Sequence, residues 1–342
     1  MRLIIATDAW HPQINGVVRS LEAMAGEAPR FGVEVTFVTP ELFRSLALPS
    51  YGEIRLAFTS ARYVGNLLEE HAPTHVHIAT EGPIGFATRR ACLRQGRAFT
   101  TSYHTRFPEY ISARVPVPEA WTYAALRRFH GSSQGTMVST PSLECELKRR
   151  GFSNIMRWTR GVDTNLFRPR EPRPVEWPHP AYLYVGRVAI EKNLEAFLSL
   201  DLPGSKIVVG DGPSRCFLEM KYPQARFLGS LSGDDLAQTY ASADVFVFPS
   251  LTDTFGIVLL EALASGLPIA AYPVTGPLDV LEGSDCGALD WDLQAAALKA
   301  LNISPLQCRA HAKGFMWQES ARQFFSNIEV AQARQTKSHL AT

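Results

Sequence analysis

The chain has 342 residues, of which 46% are hydrophobic and 20% are charged, and its formal net charge at pH 7 is +1. This length favours two domains of ordinary size, and the composition fits a soluble globular protein rather than a nucleic-acid-binding one. The five cysteines are scattered and contain no C-x-x-C pair, which indicates reduced thiols rather than a disulfide framework or a zinc site.

The hydrophobic runs are too short for a signal peptide or a membrane span. The apolar N-terminus meets Asp8 almost at once, and the longest later candidate is interrupted by Glu261 and Pro268. Residues 1–165 carry 19 Lys and Arg against 14 Asp and Glu, whereas the remainder carries 15 against 19. We therefore expect a cytoplasmic protein whose first half faces an anionic surface or ligand.

The first half alternates strands and helices. Leu3 to Thr7 predicts a strand, Val17 to Ala25 a helix and Val33 to Thr39 a second strand, which together form the βαβ unit of a parallel sheet. Further strands are predicted at 75–79, 98–103 and 136–139, and a helix at 142–150. Each strand ends in polar residues, at the edge where α/β proteins bind ligands. We assign residues 1–167 to an N-terminal Rossmann-like domain.

A proline-rich segment separates this domain from the next. Residues 168–180 contain five prolines in R-P-R-E-P-R-P-V-E-W-P-H-P, which favours an extended linker. Alternation then resumes, with strands predicted at 181–185, 206–209, 225–228 and 244–248 and helices at 191–200, 214–220, 232–241 and 257–264. We expect an α/β protein with two Rossmann-like domains facing a cleft. The second spans 181–316, and residues 317–342 form a C-terminal helix that packs back on the first domain.

Two carboxylates stand out after the strand at 244–248, in S-L-T-D-T-F-G-I-V-L-L-E-A-L-A-S-G from Ser250 to Gly266. Asp253 lies at the strand end, and Gly256 lies near the helix N-terminus, where free backbone N–H groups favour an anion. Glu261 lies inside an apolar helical run, where a carboxylate is costly to bury unless hydrogen bonds satisfy it. A ligand with hydroxyl groups would supply them.

Two further motifs directly follow strands of the second half. Arg187 and Lys192, in G-R-V-A-I-E-K-N after the strand Y-L-Y-V, are two cations that can bind a diphosphate from two directions. A solvated loop is the alternative interpretation. Residues 210–213, G-D-G-P, allow close approach of a base or a backbone, but the same letters are typical of an ordinary turn.

The first half contributes weaker candidates. A Gly16 N–H at the start of the first helix suits a phosphate, although the G-x-G-x-x-G fingerprint of dinucleotide binding is missing. His104 follows a strand, where it is either a ligand-binding residue or a structural hydrogen-bonding group. Asp290 and Asp292 have the D-x-D spacing of some metal sites, but the helix pattern after Asp292 favours N-capping. His75 and His77 alternate on a strand, and we interpret them as structural.

Six motifs in order then make the chain resemble the retaining GT-B glycosyltransferases of family 4. They are N-G-V at 15–17, Y-H-T-R-F-P-E-Y at 103–110, R-G-V-D at 160–163, G-R-V-x-x-E-K-N at 186–193, G-D-G-P at 210–213 and the carboxylate motif at 253–261. The segments D-A-W-H-P-Q-I-N-G-V-V, H-I-A-T-E-G-P and T-D-T-F-G are similar to the glycolipid-synthase branch, which contains sulfolipid synthases, diacylglycerol glycosyltransferases and mannosyltransferases.

The resemblance implies a nucleotide sugar bound mainly by the second domain. Arg187 and Lys192 bind the diphosphate, Glu261 accepts the ribose hydroxyls, and Asp253, the first residue of the family's E-x7-E, contacts the hexose. Because Asp253 is shorter than the usual glutamate, the identity of the sugar is open. His104 orients the sugar and phosphate, completing the catalytic set with Arg187, Lys192 and Asp253. The other expected donor contacts are Gly16, Gly186, Gly210, Asp211, Gly212, Phe255, Gly256, Ile257 and Val258.

The reaction implied is retaining transfer of a hexose from a nucleoside diphosphate sugar, with UDP favoured, to a lipid such as diacylglycerol. No metal or other cofactor is expected, because cations and helix N-termini neutralise the leaving diphosphate. The alternatives are a soluble enzyme with a saccharide acceptor, using GDP-mannose or UDP-glucose, and a non-catalytic sugar-nucleotide-binding protein.

Arginines and aromatic residues of the first half also suggest peripheral attachment to the inner face of the cytoplasmic membrane, with a solvated basic face as the alternative. They are Arg89, Arg90, Arg94, Arg97, Arg114, Trp121, Tyr123, Arg127, Arg128 and Phe129.

Overall fold

The computed structural model describes residues 1–13, 15–48, 51–106, 108, 117–171, 173, 175 and 177–340, without the side chains of residues 48, 51–53 and 335–340. Several residues named above lie outside this part of the chain: Phe107, Glu109, Tyr110, Arg114, Pro172 and Pro174. The chain forms two compact units, one made of residues 1–159 and 317–342 and the other of residues 160–316.

The first unit is built on a six-stranded parallel sheet and a separate two-stranded hairpin. Its strands are β1 (Arg2–Ala6), β2 (Glu34–Val38), β3 (Ser45–Leu48), β4 (Tyr51–Ala57), β5 (His75–Ile78), β6 (Phe99–Ser102), β7 (Gly135–Val138) and β8 (Ile155–Arg157). The large sheet has the order β2-β1-β5-β6-β7-β8, so the strand order reverses between β1 and β5. Along β1, Leu3 and Ile5 enter one hydrophobic core while Ile4 and Ala6 enter another, because successive side chains point to opposite faces.

Five helices of the first unit lie within the described residues given below, and three of them begin at side-chain caps. They are α1 (Gly16–Glu27), α2 (Ala61–His71), α3 (Pro83–Arg94), α4 (Glu119–His130) and α5 (Pro141–Arg149). Asn15, Ser60 and Thr140 accept hydrogen bonds from backbone N–H groups in the first turns of α1, α2 and α5. These caps explain why the helices start where they do.

The second unit repeats the same architecture. Its strands are β9 (Ala181–Val185), β10 (Ser205–Val209), β11 (Arg226–Gly229), β12 (Val245–Phe248), β13 (Ile269–Ala271) and β14 (Gly287–Leu289), and its helices are α6 (Leu194–Leu198), α7 (Arg215–Lys221), α8 (Gly233–Ala241), α9 (Ile257–Ala264), α10 (Thr275–Val280), α11 (Leu293–Ala300) and α12 (Pro305–Ala312). The parallel sheet has the order β11-β10-β9-β12-β13-β14 and reverses between β9 and β12. This is the strand order of a Rossmann fold, in which ligands bind at the reversal point.

The final helix, α13 (Trp317–Leu340), belongs to the first unit. Ala321, Phe324, Phe325 and Ile328 repeat at the spacing of one helix face and are buried in the core that contains Leu3 and Leu21. Phe324 lies against Trp158, with ring centroids 4.6 Å apart. The helix therefore covers one face of the first sheet.

The proline-rich segment is not the boundary between the units. Residues 160–167 already belong to the second unit, where the Arg309 guanidinium donates to the carbonyls of Thr164, Phe167 and Ala264. Trp177 is buried, and the Val175 N–H donates to the Ser242 hydroxyl. The sequence signal for a linker was misleading because proline excludes regular structure without excluding packing.

Candidate functional site

The loops after β9 and β12 meet at the reversal point of the second sheet. Lys192 Nζ lies 2.5 Å from Asp253 Oδ1, and Asn193 Nδ2 donates to the Pro249 carbonyl at 3.1 Å. Lys192 ends a short 3₁₀ turn, and Asn193 follows it with a φ of 52°. These two bonds hold the cationic loop against the carboxylate loop. Motifs that are some sixty residues apart in the sequence thus form one site.

Several charges surround the buried Tyr184 beside this pair. Its hydroxyl donates to the Arg187 carbonyl at 2.8 Å. Burial raises the Tyr184 pKa well above its usual value, the negative charges of Asp253 and Glu191 raise it further, and Arg187 opposes them. Arg187 and Lys192 therefore lie at the same sheet edge as Asp253, and their roles in binding a donor stay predictions.

Three buried oxygens follow β12 without a hydrogen-bond partner among the described residues. They are Ser250 Oγ, Thr252 Oγ1 and Asp253 Oδ2. Buried polar atoms are normally satisfied, and leaving them unpaired costs about 1 to 3 kcal/mol each. Two hydroxyls and a carboxylate oxygen are suited to a ligand rich in hydroxyl groups. The loop thus has the polar groups that a sugar needs.

Phe255 and Gly256 lead directly into α9. Gly256 is the residue before the first turn and has a φ of 82°, in the left-handed region that favours glycine. It is followed by Ile257 and Val258, whose N–H groups belong to the first helical turn, where an anion is stabilised. The expected helix from Ile257 to Ala264 is confirmed in both its bounds.

Glu261 is only 3% exposed on this helix. The Tyr240 hydroxyl donates to its Oε2 at 3.0 Å. This hydrogen bond offsets part of the desolvation cost of a carboxylate in an apolar run. Tyr240 lies on α8, and no motif in the sequence indicated that it bonds Glu261. A ribose contact by Glu261 is not tested by this geometry and stays a prediction.

The G-D-G-P loop packs against the G-R-V loop. The Val188 N–H donates to the Asp211 carbonyl at 2.9 Å, and Asp211 itself is exposed. A Cβ on Gly210 would lie 1.9 Å from the Gly186 carbonyl oxygen, and one on Gly212 would lie 2.4 Å from the Val188 oxygen. The glycines are therefore required by the approach of one loop to the other, which is the backbone approach that the sequence offered beside approach of a base.

Gly16 and His104 belong to the first unit. The Asn15 side chain accepts from the N–H groups of Val17 and Val18, so the α1 cap engages these residues rather than Gly16. The His104 ring lies 5.6 Å from the Trp158 ring in an edge contact. The structure thus places Gly16 and His104 in a different unit from the residues of the second sheet.

The reversal point of the first sheet also has polar residues for which the sequence predicted no role. Asp8, after β1, accepts from the N–H groups of Ile84 at 2.8 Å and Gly85 at 3.2 Å, and from the Thr80 hydroxyl. Burial raises the pKa of Asp8 despite these bonds. Glu81 Oε1 lies 3.1 Å from His130 Nε2, and both side chains are buried. Asp8 lies in the motif D-A-W-H-P and Glu81 in the motif T-E-G-P. No spacing between the two motifs indicates that these residues lie near each other in the fold.

The histidines and the D-x-D motif have structural contacts. His75 Nε2 and His77 Nδ1 both approach the Thr100 hydroxyl, at 3.0 and 2.9 Å, and burial lowers the pKa of His75 to about 4. Asp292 accepts from the N–H groups of Gln294 and Ala295, which confirms its N-cap assignment. Across the described residues, no three His, Cys, Asp or Glu side chains are grouped to hold a metal ion.

The proposed basic face of the first unit is smaller than the sequence suggested. Arg89 donates to the carbonyls of Arg128 and Phe129, and Arg127 donates to the Arg150 carbonyl. Arg97 similarly bonds Gln95. Tyr123 and Phe129 are core residues. The exposed remainder is Arg90, Arg94, Trp121 and Arg128. The other described arginines of this set, Arg89, Arg97 and Arg127, make hydrogen bonds within the fold, because a guanidinium readily donates to carbonyl oxygens. Of the helices that the structure describes, none is both long enough and apolar enough to cross a bilayer.

A Rossmann-like unit with two cations, a carboxylate and unpaired oxygens at its reversal point has the features of a nucleotide-sugar site. Sequence comparison places the chain within a class of such proteins. The family described as Glycosyltransferase Family 4 matches residues 14–166, and Glycosyl transferases group 1 matches residues 179–303. A GDP-mannose-dependent alpha-mannosyltransferase of Mycolicibacterium smegmatis is 30% identical over 318 residues, covering 84% of each chain. The chain therefore belongs to glycosyltransferase family 4, whose fold is GT-B.

Two further comparisons are with a more distant relative and with a solved structure. The alpha-monoglucosyldiacylglycerol synthase of Streptococcus pneumoniae is 22% identical over 352 residues, which is 89% of this chain and 79% of that protein. HepE of Anabaena, solved in complex with UDP and glucose, has a TM-score of 0.73 at 14% identity and covers 96% of this chain and 99% of its own. The latter supports the fold of two Rossmann-like domains.

Proposed function

We propose that this glycosyltransferase moves a hexose-type sugar from a nucleoside diphosphate sugar to a lipid acceptor such as diacylglycerol, with retention of the anomeric configuration. The observation that carries the donor part is the Lys192–Asp253 contact at 2.5 Å at the reversal point of the second sheet. The acceptor part is supported by the name of the diacylglycerol-glucosylating relative.

The roles of the charged residues follow from the bond that breaks. Cleavage of the anomeric C–O bond leaves an oxocarbenium-like sugar and a nucleoside diphosphate, so the main electrostatic task is to stabilise the leaving group. Arg187 and Lys192 would bind the diphosphate, and Asp253 the hexose, with help from the Ser250 and Thr252 hydroxyls. For Gly16 and His104, the resemblance to the family remains the support.

In the retaining step, the acceptor hydroxyl attacks on the face from which the diphosphate leaves, and the departing phosphate takes the acceptor proton. This route needs no separate nucleophile, and we propose that it needs no metal. Determination of the anomeric configuration of the product by NMR tests retention. Unchanged transfer after treatment with a chelator would support metal independence, and loss that is restored by a divalent cation would contradict it.

The donor base is a choice between two candidates. A UDP-sugar is our predicted donor, whereas the name of the mycobacterial relative favours GDP-mannose. A thermal-shift screen across UDP-, GDP- and ADP-sugars distinguishes them, because a ligand stabilises the folded state that it binds. A saccharide acceptor is the alternative to a lipid, and extraction of labelled product into organic solvent separates the two.

Arg187→Ala and Lys192→Ala test the diphosphate assignment. One charge-assisted hydrogen bond contributes about 1.5 to 3 kcal/mol, so each change should reduce transfer by roughly ten- to a hundredfold. Lys221→Ala is the matched control, because Lys221 is a half-exposed cation of the same unit that pairs with Glu195. Near-normal transfer by either site variant would refute the assignment, and transfer from no donor by the unaltered protein would favour a non-catalytic binding protein.

A further inference from the structure

The β3–β4 hairpin of the first unit has two unlike faces. Leu46 lies directly opposite Leu56 in the antiparallel register, and Phe58 follows Leu56 by two residues, so the three side chains share one face. Ser45 and Arg55 lie on the other face, where Arg55 Nε donates to Ser45 Oγ at 3.0 Å. The hairpin thus has one apolar face, and we call the other the polar face for Ser45 and Arg55, although it also carries Ala47 and the buried Ala57.

The apolar face is exposed to solvent. Leu46 is 62% exposed, Leu56 40% and Phe58 63%, and the nearby Leu42 is 51% exposed. Single exposed apolar residues are ordinary, but several on one face of one small element indicate a binding surface. A charged side chain beside this face is that of Arg44, which precedes β3 and is exposed, and its carbonyl accepts from the Phe58 N–H.

The polar face lines a cavity of about 430 Å³ that is widely open to solvent. Its walls include His11 from the loop after β1, Glu41 and Phe43 from the segment after β2, and Ser45 and Arg55 from the hairpin. This volume is within the range of about 300 to 1,000 Å³ that is usual for small-molecule sites. The cavity also lies beyond the carboxyl ends of β1 and β2, where α/β sheets bind ligands.

The charged lining suits a hydroxyl-rich group better than an anion. Arg55 offers guanidinium donors, Glu41 offers carboxylate acceptors, and His11 lies 2.7 Å from the acid Glu22. An anion in this cavity would face the Glu41 carboxylate, whereas a neutral hydroxyl group can both donate and accept. A molecule with a hydroxylated head and an apolar body matches the cavity and the exposed face together.

We propose that the β3–β4 hairpin is the lipid-binding element of this protein. Its apolar face, made of Leu46, Leu56 and Phe58, contacts acyl chains at a membrane surface, with Arg44 beside anionic headgroups. Its polar face, with Arg55, admits the hydroxylated head of the acceptor lipid to the cavity. This inference rests on the proposed lipid acceptor and assigns membrane contact to the hairpin instead of to the arginines of α3 and α4.

Vesicle flotation tests the membrane contact without requiring catalysis. The probes are vesicles of phosphatidylcholine with phosphatidylglycerol and vesicles of phosphatidylcholine alone. The unaltered protein should bind the anionic vesicles more strongly, and the combined variant Leu46→Ser, Leu56→Ser, Phe58→Ser should bind at least about tenfold more weakly. The matched control is Phe86→Ser, Leu93→Ser, Trp121→Ser, which replaces three exposed apolar residues of α3 and α4 and should bind like the unaltered protein.

Three outcomes overturn the proposal. They are failure of the unaltered protein to bind either vesicle, binding by the hairpin variant that equals that of the unaltered protein, and loss of binding by the α3 and α4 variant alone. A concentration-dependent dimer that the hairpin substitutions abolish, without vesicle binding, would instead identify a second copy of this chain as the occupant of the apolar face.

Kinetics with a lipid acceptor test the cavity. Arg55→Gln should raise KM for diacylglycerol presented in mixed micelles, with a smaller change in kcat, and an unchanged KM would overturn the headgroup assignment. If the unaltered protein transfers sugar to no acceptor, the proposed function fails, while the flotation result still decides whether the hairpin binds lipid. The two failures are therefore distinguishable.

Discussion

Lys192 Nζ and Asp253 Oδ1 are 2.5 Å apart, although 61 residues separate them in the chain. The side chains are 21% and 17% exposed, so a diphosphate that binds Lys192 must compete with a partly desolvated carboxylate. Under the proposed function, Asp253 would limit the affinity of the site for the nucleotide, and its Oδ2, which has no hydrogen-bond partner among the described residues, would contact the sugar.

Asp253→Asn should separate these two effects. Removing the negative charge ends this ion pair and should tighten UDP or GDP binding about fivefold, because an ion pair of this exposure is worth about 1 kcal/mol. Transfer of sugar should fall at least about tenfold, because the hexose loses a charged acceptor. Isothermal titration with the diphosphate and a transfer assay measure the two effects. The exposed Asp201→Asn is the control, and weaker diphosphate binding by Asp253→Asn would contradict the assignment.

Gly210→Ala should weaken nucleotide binding by displacing the Gly186–Arg187 loop. The new Cβ would lie 1.9 Å from the Gly186 carbonyl oxygen, and Gly210 has a φ of 134°. Gly233→Ala is the control, since Gly233 also has a positive φ, of 54°, but an added methyl group there would meet no atom within 4 Å. Backbone strain alone costs about 1 to 2 kcal/mol, so the control should lose stability but keep its diphosphate affinity. Equal affinities in the two variants would show that the loop contact is unimportant.

His75 should make stability depend on pH. Burial lowers its pKa to about 4, so between about 4 and its ordinary value of 6.5 the unfolded chain binds more protons than the folded one. The contribution of neutral His75 is present above this window and is lost as the pH falls through it. At 1.36 kcal/mol per pKa unit, the loss approaches about 3 kcal/mol. Urea unfolding at pH 7 and pH 5 should show a smaller difference for His75→Gln than for the control, His71→Gln at the exposed end of α2.

Phe324→Ala should destabilise the first unit. Phe324 is fully buried on the side of α13 that faces the sheet. Replacing a buried Phe by Ala costs about 3 to 5 kcal/mol of stability. Val330→Ala, on the exposed side of the same helix, should change stability by less than about 0.5 kcal/mol. Thermal unfolding monitored by circular dichroism compares the two, and similar midpoints would show that α13 is not part of the folded core.

The strongest sequence signals were those whose physical cause is local. Strands buried on both faces read as continuous apolar runs, so β9 was predicted with its observed bounds, Ala181–Val185. The strands Ile269–Ala271 and Gly287–Leu289 were missed, because a run of three residues is too short to show a hydrophobic period. The β3–β4 hairpin was missed as well, since no short turn signal identified it.

The candidate site was predictable to the extent that its residues follow strands directly. Arg187 and Asp253 were found in this way, because parallel strands bring their carboxyl ends to one edge. Tyr240 and His130 were not found, since each reaches a carboxylate from the middle or end of a helix. Such pairings depend on how helices pack against the sheet, and no pattern along the chain encodes that.

The second unit begins and ends at neighbouring points. The Val162 N–H donates to the Phe315 carbonyl at 2.9 Å, and Val162 forms a parallel bridge with Met316. The chain leaves the first unit after Thr159 and rejoins it at Trp317. For protein engineering, exchange of the second unit, residues 160–316, between relatives therefore requires only two adjacent junctions and leaves α13 packed on the first unit.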